Sequence, residues 1–405
     1  MEVHSMIQEI ILTPIRKQCN VLVCGGGIAG ISAALAAVRL GKKVILLEKE
    51  YLLGGLGTAG LVTIYLPICD GMGRQVSFGI AEELLRLSIS MGAESLYPAN
   101  WLDSTDPTKR TANDSRFEVR YNPGIFAILA EQLLLNEGAE IMYGTYAVST
   151  ALSDGRIKAV ICENKSGRFA IEADSVVDAT GDCDIAHFAG APTETFRQGN
   201  VLASWYYFLG KNGYDLRTLG YCDVPDEDKK KLGSVETLVS ERFTGLDGDE
   251  ISRMVQLSHK SVLNDVKKRR ETDPALVPTS IASIPQLRMT RKISGMYTLA
   301  TNEAHRYFED SVGMVSDWKK RGPVYEVPFG TLYSDKIRNL ITAGRCTSVT
   351  EGMWDIMRVI PCCAVTGQAA GTAAALTDDF TALDIRYLQS VLHENGVKLH
   401  ESELG

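Results

Sequence analysis

Residues 21–48 constrain the fold more than any other part of the chain. The segment begins with three apolar residues, Val21 to Val23, which are typical of a buried parallel strand. An alanine-rich stretch at residues 31–40 favours a helix, and a second apolar run at residues 44–47 predicts another buried strand. This order of elements predicts a βαβ unit with a parallel sheet.

Three glycines between the first strand and the helix, Gly25, Gly27 and Gly30, have the spacing G-x-G-x-x-G. In a dinucleotide-binding turn, the first glycine permits the tight turn and the second lets the backbone approach a pyrophosphate. The third lets the helix pack close to the sheet. The pyrophosphate would then bind free N–H groups at the helix N-terminus, near Ile28 and Ala29.

An acidic residue, Glu48, ends the second strand and is followed by Lys49. In dinucleotide-binding units an acid about 20 residues after the glycines hydrogen-bonds the ribose hydroxyls. The same acid would repel a 2′-phosphate and so argues against a phosphorylated dinucleotide. A glycine turn in another kind of βαβ unit is the alternative, but the full set of strand, helix, second strand and acid favours dinucleotide binding.

Composition excludes several classes of protein. The 405 residues allow two or three domains, and the formal net charge of −8 argues against a general nucleic-acid binder. The chain contains no run of about 18 apolar residues, so the sequence predicts no transmembrane helix and we expect no membrane partner. The nine cysteines lack C-x-x-C spacing, which argues against a zinc site and a dithiol pair and fits a reducing, cytoplasmic compartment.

The pattern along the chain predicts an α/β protein in three parts. Residues 1–192 form the first part of a Rossmann-like domain, with a β-meander at 146–172 and an insertion of helix and loop at about 70–116. Residues 193–335 differ in pattern and predict an inserted α+β substrate domain, and residues 336–405 return to the first domain. Helices are predicted at residues 77–91, 123–136, 226–270, 361–376 and 383–395. Strands outside the βαβ unit and the meander are predicted at residues 117–120, 140–143, 175–182, 205–208, 284–299, 324–332 and 340–345.

Six stretches carry a resemblance to a known family. They are GGGIAG with Glu48, LLGGLGTAGLV, VVDATGDCDIAHFAGAP, IPQLRMTRKISG, NLITAGRC and RVIPCCAVTGQAAGTAAAL. Together they resemble the FAD-dependent oxidoreductases that have a glutathione-reductase-like FAD domain. The resemblance covers nearly the whole chain and implies FAD as the cofactor, but it implies no particular substrate.

The resemblance also implies which residues contact FAD. It assigns the pyrophosphate to the first glycine turn, the ribose to Glu48, and the adenine edge to the backbone of one meander strand. Further glycine turns would approach the phosphates, the ribityl chain and the flavin ring. The residues assigned are Gly25, Gly27, Ile28, Ala29, Gly30, Glu48, Lys49, Gly54, Gly55, Thr58, Ala147, Val148, Ala179, Thr180, Gly181, Asp182, Gly344, Arg345, Ile360 and Pro361. Some relatives attach FAD to a histidine in the second glycine cluster; residues 52–67 contain none here, so non-covalent FAD is expected.

For function, the resemblance implies hydride transfer at flavin N5 to or from a small organic substrate. Arg288 and Arg291 are candidate substrate-binding residues, with structural ion pairing as the alternative for each. Arg358 precedes the helix that begins near Pro361 and is a candidate to stabilise negative charge on the flavin; bracing of the loop is its alternative.

Two other functions are weighed against this one. A flavoprotein subunit could pass electrons to a protein partner, and a tRNA-modifying flavoprotein would share the FAD fold but need a basic surface. Cys69 and Cys346 are single thiols, so a disulfide-reductase mechanism is disfavoured and their role stays open. The sequence also leaves a homo-oligomer open.

Overall fold

The computed structural model describes residues 7–91, 118–220 and 237–404. The strands of these ranges are β1 (Ile15–Cys24), β2 (Val44–Leu47), β3 (Ile64–Tyr65), β4 (Val119–Arg120), β5 (Glu140–Met142), β6 (Tyr146–Ser153), β7 (Arg156–Asn164), β8 (Gly167–Asp178), β9 (Thr193–Thr195), β10 (Tyr206–Gly210), β11 (Gly213–Arg217), β12 (Val277–Ile281), β13 (Arg291–Ile293), β14 (Ser311–Ser316), β15 (Val324–Pro328) and β16 (Leu340–Thr342). The helices are α1 (Ile28–Arg39), α2 (Ile80–Ile89), α3 (Pro123–Asn136), α4 (Asp184–Phe188), α5 (Gly248–Arg270), α6 (Glu351–Met357), α7 (Ile360–Leu376) and α8 (Ile385–Glu394).

A seven-stranded sheet forms the centre of the fold. Its strand order is β5-β2-β1-β8-β7-β6, and β16 pairs with β8 as well. Strands β5, β2, β1, β8 and β16 pair in parallel, whereas β6, β7 and β8 form an antiparallel meander. The predicted Rossmann-like sheet with a β-meander is therefore confirmed.

Several predicted boundaries differ from the structure. The first strand begins at Ile15, because residues ahead of the apolar run already pair with β8. The two strands expected at 168–172 and 175–182 form one continuous strand, β8, which ends at Asp178. It pairs with β7 over its first half and with β16 over its last residues.

The region expected to be mostly α+β contains less regular structure than the sequence suggested. Of the helix expected at 226–270, residues 226–236 lie outside the described ranges. The observed helix begins only at Gly248, where the Asp247 side chain caps it by accepting from the Glu250 N–H at 2.9 Å. The strand expected at 284–299 is reduced to β13, and the strand expected at 324–332 ends at Pro328. The loop expected at residues 97–115 also lies outside the described ranges.

Helices α1 and α7 pack with their backbones almost in contact. A Cβ on Gly367 would lie 2.3 Å from the carbonyl oxygen of Ala29, and one on Gly371 would lie 2.1 Å from that of Ala33. The two glycines are four residues apart in α7, and the two alanines are four residues apart in α1. Each pair therefore lies on one face of its helix. This packing brings the N-termini of the two helices to the same side of the molecule.

A second, smaller group of elements lies beside the central sheet. Strands β11, β10 and β12 form a three-stranded antiparallel sheet, and residues of α5 pack against it around the buried Tyr206 ring. The β14–β15 hairpin instead packs into the main core, since Val312 and Val315 belong to the cluster that contains α1 and α7. The domain limits at residues 192 and 335 therefore stay a prediction.

Within the described ranges, no single helix is both long and apolar enough to cross a membrane. Helices α6 and α7 meet such a criterion only as a pair bent by 90°, and α7 is buried in the core.

Candidate functional site

The candidate site lies at the carboxyl edge of the parallel strands. Strands β1, β2, β8 and β16 all end there, and each runs into a turn or an acid: Gly25, Glu48, Ala179 and Gly344. In open α/β sheets ligands bind at this edge. A cavity of about 530 Å³ is lined by these turns.

Most residues that the resemblance assigns to FAD line this one cavity. The exceptions are Gly30, Thr58, Val148 and Pro361. Segments far apart in sequence therefore meet at one place, as the resemblance requires.

The first glycine turn shows which glycines the protein itself needs. Gly25 has a φ of +105°, and a Cβ there would lie 2.4 Å from the Ala179 carbonyl oxygen. A Cβ on Gly30 would lie 1.8 Å from the Gly25 carbonyl oxygen, so Gly30 is required for packing although it does not line the cavity. A Cβ on Gly27 would meet no atom within 4 Å. Gly27 lines the cavity, so the space beside it is left for a ligand.

The second glycine cluster, which contains Gly54 and Gly55, lies against the first glycine turn. We call these two glycine turns together the glycine cradle. Gly54 and Gly55 have φ values of +101° and +54°, and the Gly54 N–H donates to the Gly26 carbonyl at 2.8 Å. A Cβ on Gly55 would lie 3.3 Å from the Gly27 Cα, so the two glycine turns are in close contact. Thr58 does not line the cavity but stabilises this cluster, since its hydroxyl donates to the Leu53 carbonyl at 2.5 Å.

Glu48 is held in a fixed position at the end of β2. The residue is 5% exposed, and its carboxylate accepts the backbone N–H groups of Gly26 and Glu50, both at 2.8 Å. Burial raises the pKa of Glu48, and the two hydrogen bonds act in the opposite direction. Glu48 and Lys49 both line the cavity, and the carboxylate has lone pairs left for ribose hydroxyls.

The adenine end of the expected site involves β6. Ala147 lines the cavity and Val148 does not, and the register of β6 against β7 shifts between Ala147 and Ser149. The neighbouring Tyr146 lines the cavity too and was not expected from sequence.

The turn after β8 is braced by an arginine. Gly181 has a φ of +82°, and a Cβ there would lie 2.2 Å from Nη2 of Arg345. Arg345 Nη1 donates to the Leu287 carbonyl at 2.6 Å, and its Nη2 lies 3.6 Å from Asp182 Oδ1. Asp182 also accepts from the Thr290 hydroxyl at 2.7 Å. This arginine thus joins the cofactor edge of the sheet to the segment that carries Arg288.

The N-terminus of α7 also reaches the cavity. Val359 and Ile360 line it, whereas Pro361, which has no N–H, does not. Arg358 lines the cavity with a side chain 6% exposed, and its Nε donates to Asp355 Oδ1 at 2.9 Å. Lys319 Nζ lies 2.9 Å from the other oxygen of the same carboxylate. A fixed positive group and a helix N-terminus therefore adjoin each other here.

The two arginines of the RMTRK run have different surroundings. Arg288 is 4% exposed and lines the cavity, with its guanidinium 5.1 Å from the centre of the Trp205 ring. Arg291 does not line the cavity; its Nη2 bonds Asp184 Oδ1 at 2.9 Å and its Nε donates to the Asp182 carbonyl at 3.0 Å. Of these two arginines, only Arg288 lines the cavity.

A wall of mainly apolar residues completes the lining of the cavity, and none of its members was assigned to the site from the sequence. These residues are Val62, Ile64, Leu66, Trp205, Gly245, Ile251, Ser283, Ile284, Pro285, Leu287 and Trp318. The one available signal was the apolar run after the second glycine cluster, which indicated a buried path.

The cysteines offer no reactive pair at the cavity. Cys69 and Cys346 are buried and do not line it, whereas Cys24 and Cys363 do. Burial raises the pKa of the Cys24 thiol well above its ordinary value. Burial raises the pKa of the Cys363 thiol to about 12, so this thiol is protonated at neutral pH. Among the described residues no group of three acidic, histidine or cysteine side chains could hold a metal ion.

Several solved structures resemble this fold. A geranylgeranyl bacteriochlorophyll reductase-like protein from Thermoplasma acidophilum has a TM-score of 0.47 and 11% identity, covering 95% of this chain and 85% of that one. A p-nitrophenol 4-monooxygenase from Pseudomonas putida has a TM-score of 0.43 and 12% identity, covering 94% and 81%. A 3-ketosteroid-delta4-(5alpha)-dehydrogenase from Rhodococcus jostii has a TM-score of 0.43 and 14% identity, covering 90% and 98%.

The sequence itself matches a family over most of its length. Residues 20–204 and 216–392 match the family described as FAD dependent oxidoreductase. This match agrees with the glycine cradle, the buried acid and the parallel sheet described above. The protein therefore belongs to the FAD-dependent oxidoreductases and is an enzyme that uses FAD.

Proposed function

We propose that the protein oxidises or reduces a small organic molecule by hydride transfer to or from N5 of bound FAD. The observation that carries this proposal is that one cavity joins the glycine cradle to a mainly apolar wall containing Arg288 and Arg358. A cofactor in the cradle would thus share a water-poor space with a small molecule. FAD supplies the redox chemistry, and the protein supplies binding, orientation and charge.

The residues of the cavity lining would hold FAD by three kinds of contact. Gly27 leaves space for the pyrophosphate beside the free N–H groups of α1. Glu48 would accept hydrogen bonds from ribose hydroxyls, and Ala147 would present backbone groups to the adenine. The N-terminus of α7 would face the flavin ring, where its dipole favours negative charge.

The remaining parts of the proposal concern partners and location. We infer a cytoplasmic enzyme, because the cysteines in the described ranges are free thiols. The net charge of −8 supports a small-molecule substrate over a nucleic acid. A homo-oligomer fits the proposal equally well.

The proposal is tested by anaerobic bleaching of the bound flavin. Purified protein is mixed with a library of small organic molecules, and loss of the oxidised flavin absorbance is followed. The reverse direction is tested with dithionite-reduced protein and candidate acceptors. Reduction or reoxidation by a small molecule in the absence of other proteins supports the proposal. Electron exchange that requires a co-purifying protein subunit would contradict it.

We predict that FAD is held without a covalent bond. Residues 52–67 contain no histidine, and no histidine of the described ranges lines the cavity. After precipitation with acid, the yellow colour should remain in the supernatant and show the mass of intact FAD. Flavin that pellets with the denatured protein would contradict this prediction.

We predict that Glu48→Gln weakens FAD binding by about 10- to 100-fold. A hydrogen bond to a charged group contributes about 1.5–3 kcal/mol, and the amide would also present N–H groups toward the N–H donors of Gly26 or Glu50. Titration of apoprotein with FAD measures the dissociation constant, with Glu163→Gln, an exposed carboxylate on β7, as the control. An unchanged constant in Glu48→Gln would show that this acid does not contact the ribose.

A further inference from the structure

We infer that the substrate is an organic carboxylate with an apolar body. The inference rests on the proposed function, because it concerns the apolar wall of the same cavity. Its basis is the composition of the wall defined above, together with Arg288 and Arg358, which line the cavity beside it.

Two guanidinium groups point to the charge of the ligand. Arg288 and Arg358 are both more than nine-tenths buried and line the same cavity. The Arg288 guanidinium donates to the Gln286 side chain at 3.5 Å, and the Arg358 guanidinium donates to Asp355 at 2.9 Å. The planar fork of N–H donors on arginine matches a carboxylate, which it can bind through two parallel hydrogen bonds.

The acidic residues that line the cavity lie at the cradle and do not belong to the wall. The carboxylates in its lining are Glu48, Glu50, Asp182 and Asp184, which follow β2 and β8 at the cradle. The residues of the wall, all of them described, include none. A surface that has cations and no acid attracts anions and disfavours cationic ligands.

The backbone beneath Arg288 is fixed. The buried Asn200 side chain accepts the N–H groups of Arg288 at 2.9 Å and Met289 at 3.1 Å, and it donates to the Met289 carbonyl at 2.6 Å. Gln286 is fixed in turn, since its amide donates to the Gly60 carbonyl at 2.5 Å. Arg288 is therefore presented from a rigid segment, which lowers the entropy lost when it binds a ligand.

The wall determines the other half of the ligand. Nearly all its side chains are aliphatic or indole groups, and Ser283 is its one hydroxyl. Burying apolar surface against such groups is favourable at about 25 cal/mol per Å². A carboxylate with an aromatic or branched aliphatic body satisfies both the cations and the wall.

The test uses the holoenzyme and three main probes, two of which match in shape and differ in charge, while the third keeps the charge and lacks the apolar ring. Binding of 3-phenylpropanoate, 3-phenylpropanamide and propanoate is measured from the change in flavin absorbance, which needs no turnover. We expect 3-phenylpropanoate to bind at least tenfold more tightly than either other probe. Equal binding of the amide would overturn the role of charge, and equal binding of propanoate would overturn the role of the apolar body. Tighter binding of 3-phenylpropyl phosphate than of 3-phenylpropanoate would overturn the choice of carboxylate.

Variants locate the anion. Arg288→Gln should weaken 3-phenylpropanoate binding at least tenfold and leave binding of the amide within twofold, while Arg288→Lys should be intermediate. The control is Arg386→Gln, which removes the same charge from an exposed position on α8. Equal loss for the acid and the amide in Arg288→Gln would overturn the inference. If Arg288→Gln fails to retain FAD, the relative binding of the three main probes to the wild-type holoenzyme tests the inference.

The inference and the proposed function can fail independently of each other. Preferential binding of 3-phenylpropanoate without any small molecule that reduces or reoxidises the flavin would support the inference and contradict the proposed function. Bleaching only by neutral or cationic molecules would support the proposed function and overturn the inference.

Discussion

Gly27→Ala is expected to leave the apoprotein folded and to weaken FAD binding by about 10- to 100-fold. A Cβ at this position meets no protein atom within 4 Å, and the backbone φ of −70° suits alanine. The methyl group would instead occupy space that the cofactor needs. Forcing an extra methyl group into a packed site costs about 1–3 kcal/mol, which corresponds to this range of dissociation constants.

A matched control separates the ligand effect from the general effect of adding a methyl group. Gly248→Ala adds the same group at the start of α5, where a Cβ also meets nothing within 4 Å and no cofactor is expected. Apoprotein of both variants is titrated with FAD, and thermal unfolding is followed by circular dichroism. Loss of FAD affinity in Gly27→Ala alone, with both apoproteins near the wild-type melting temperature, is the expected outcome. Wild-type affinity in Gly27→Ala would place the pyrophosphate elsewhere.

Local sequence signals predicted the cofactor half of the molecule well. The strand Val44–Leu47 and the helix Pro123–Asn136 have the predicted bounds, because apolar runs and a proline near the helix start act over a few residues. The glycines were identifiable for the same reason, since tight turns and close approach need them. The parallel pairing of their strands then brings these turns to one edge of the sheet.

The substrate half was harder to predict, for physical reasons. Trp205, Ile251 and Leu287 come from three separate segments of the chain, and each is apolar like any core residue. Nothing local distinguishes an apolar side chain that lines a cavity from one that fills a core. Arg288 and Arg291 illustrate the same limit, since two arginines three residues apart differ only in what the tertiary fold places beside them.

Arg358→Met is expected to lower the reduction potential of bound FAD by about 30 to 60 mV while FAD stays bound. Reduction of the flavin places negative charge on its pyrimidine ring, and Arg358 lies just before the helix N-terminus that would face this ring. Fixed charge in a water-poor site can contribute a few kcal/mol. For a two-electron couple about 1.4 kcal/mol corresponds to about 30 mV.

The contacts of Arg358 suggest the alternative that it only braces the turn between α6 and α7. Its guanidinium bonds Asp355, whose other carboxylate oxygen lies 2.9 Å from Lys319 Nζ. Lys319→Met therefore takes a cation from the same carboxylate without removing a group from the cavity lining, and it serves as the matched control.

The potential of each variant is measured without substrate, by equilibration with a reference dye during slow enzymatic reduction. A fall in Arg358→Met that is absent from Lys319→Met and largely restored in Arg358→Lys would show that the positive charge acts on the flavin. Arg358→Met should then also slow flavin reduction by a substrate. If Arg358→Met keeps the wild-type potential and only lowers the melting temperature, Arg358 is a brace, and the N-terminus of α7 alone would stabilise the reduced flavin.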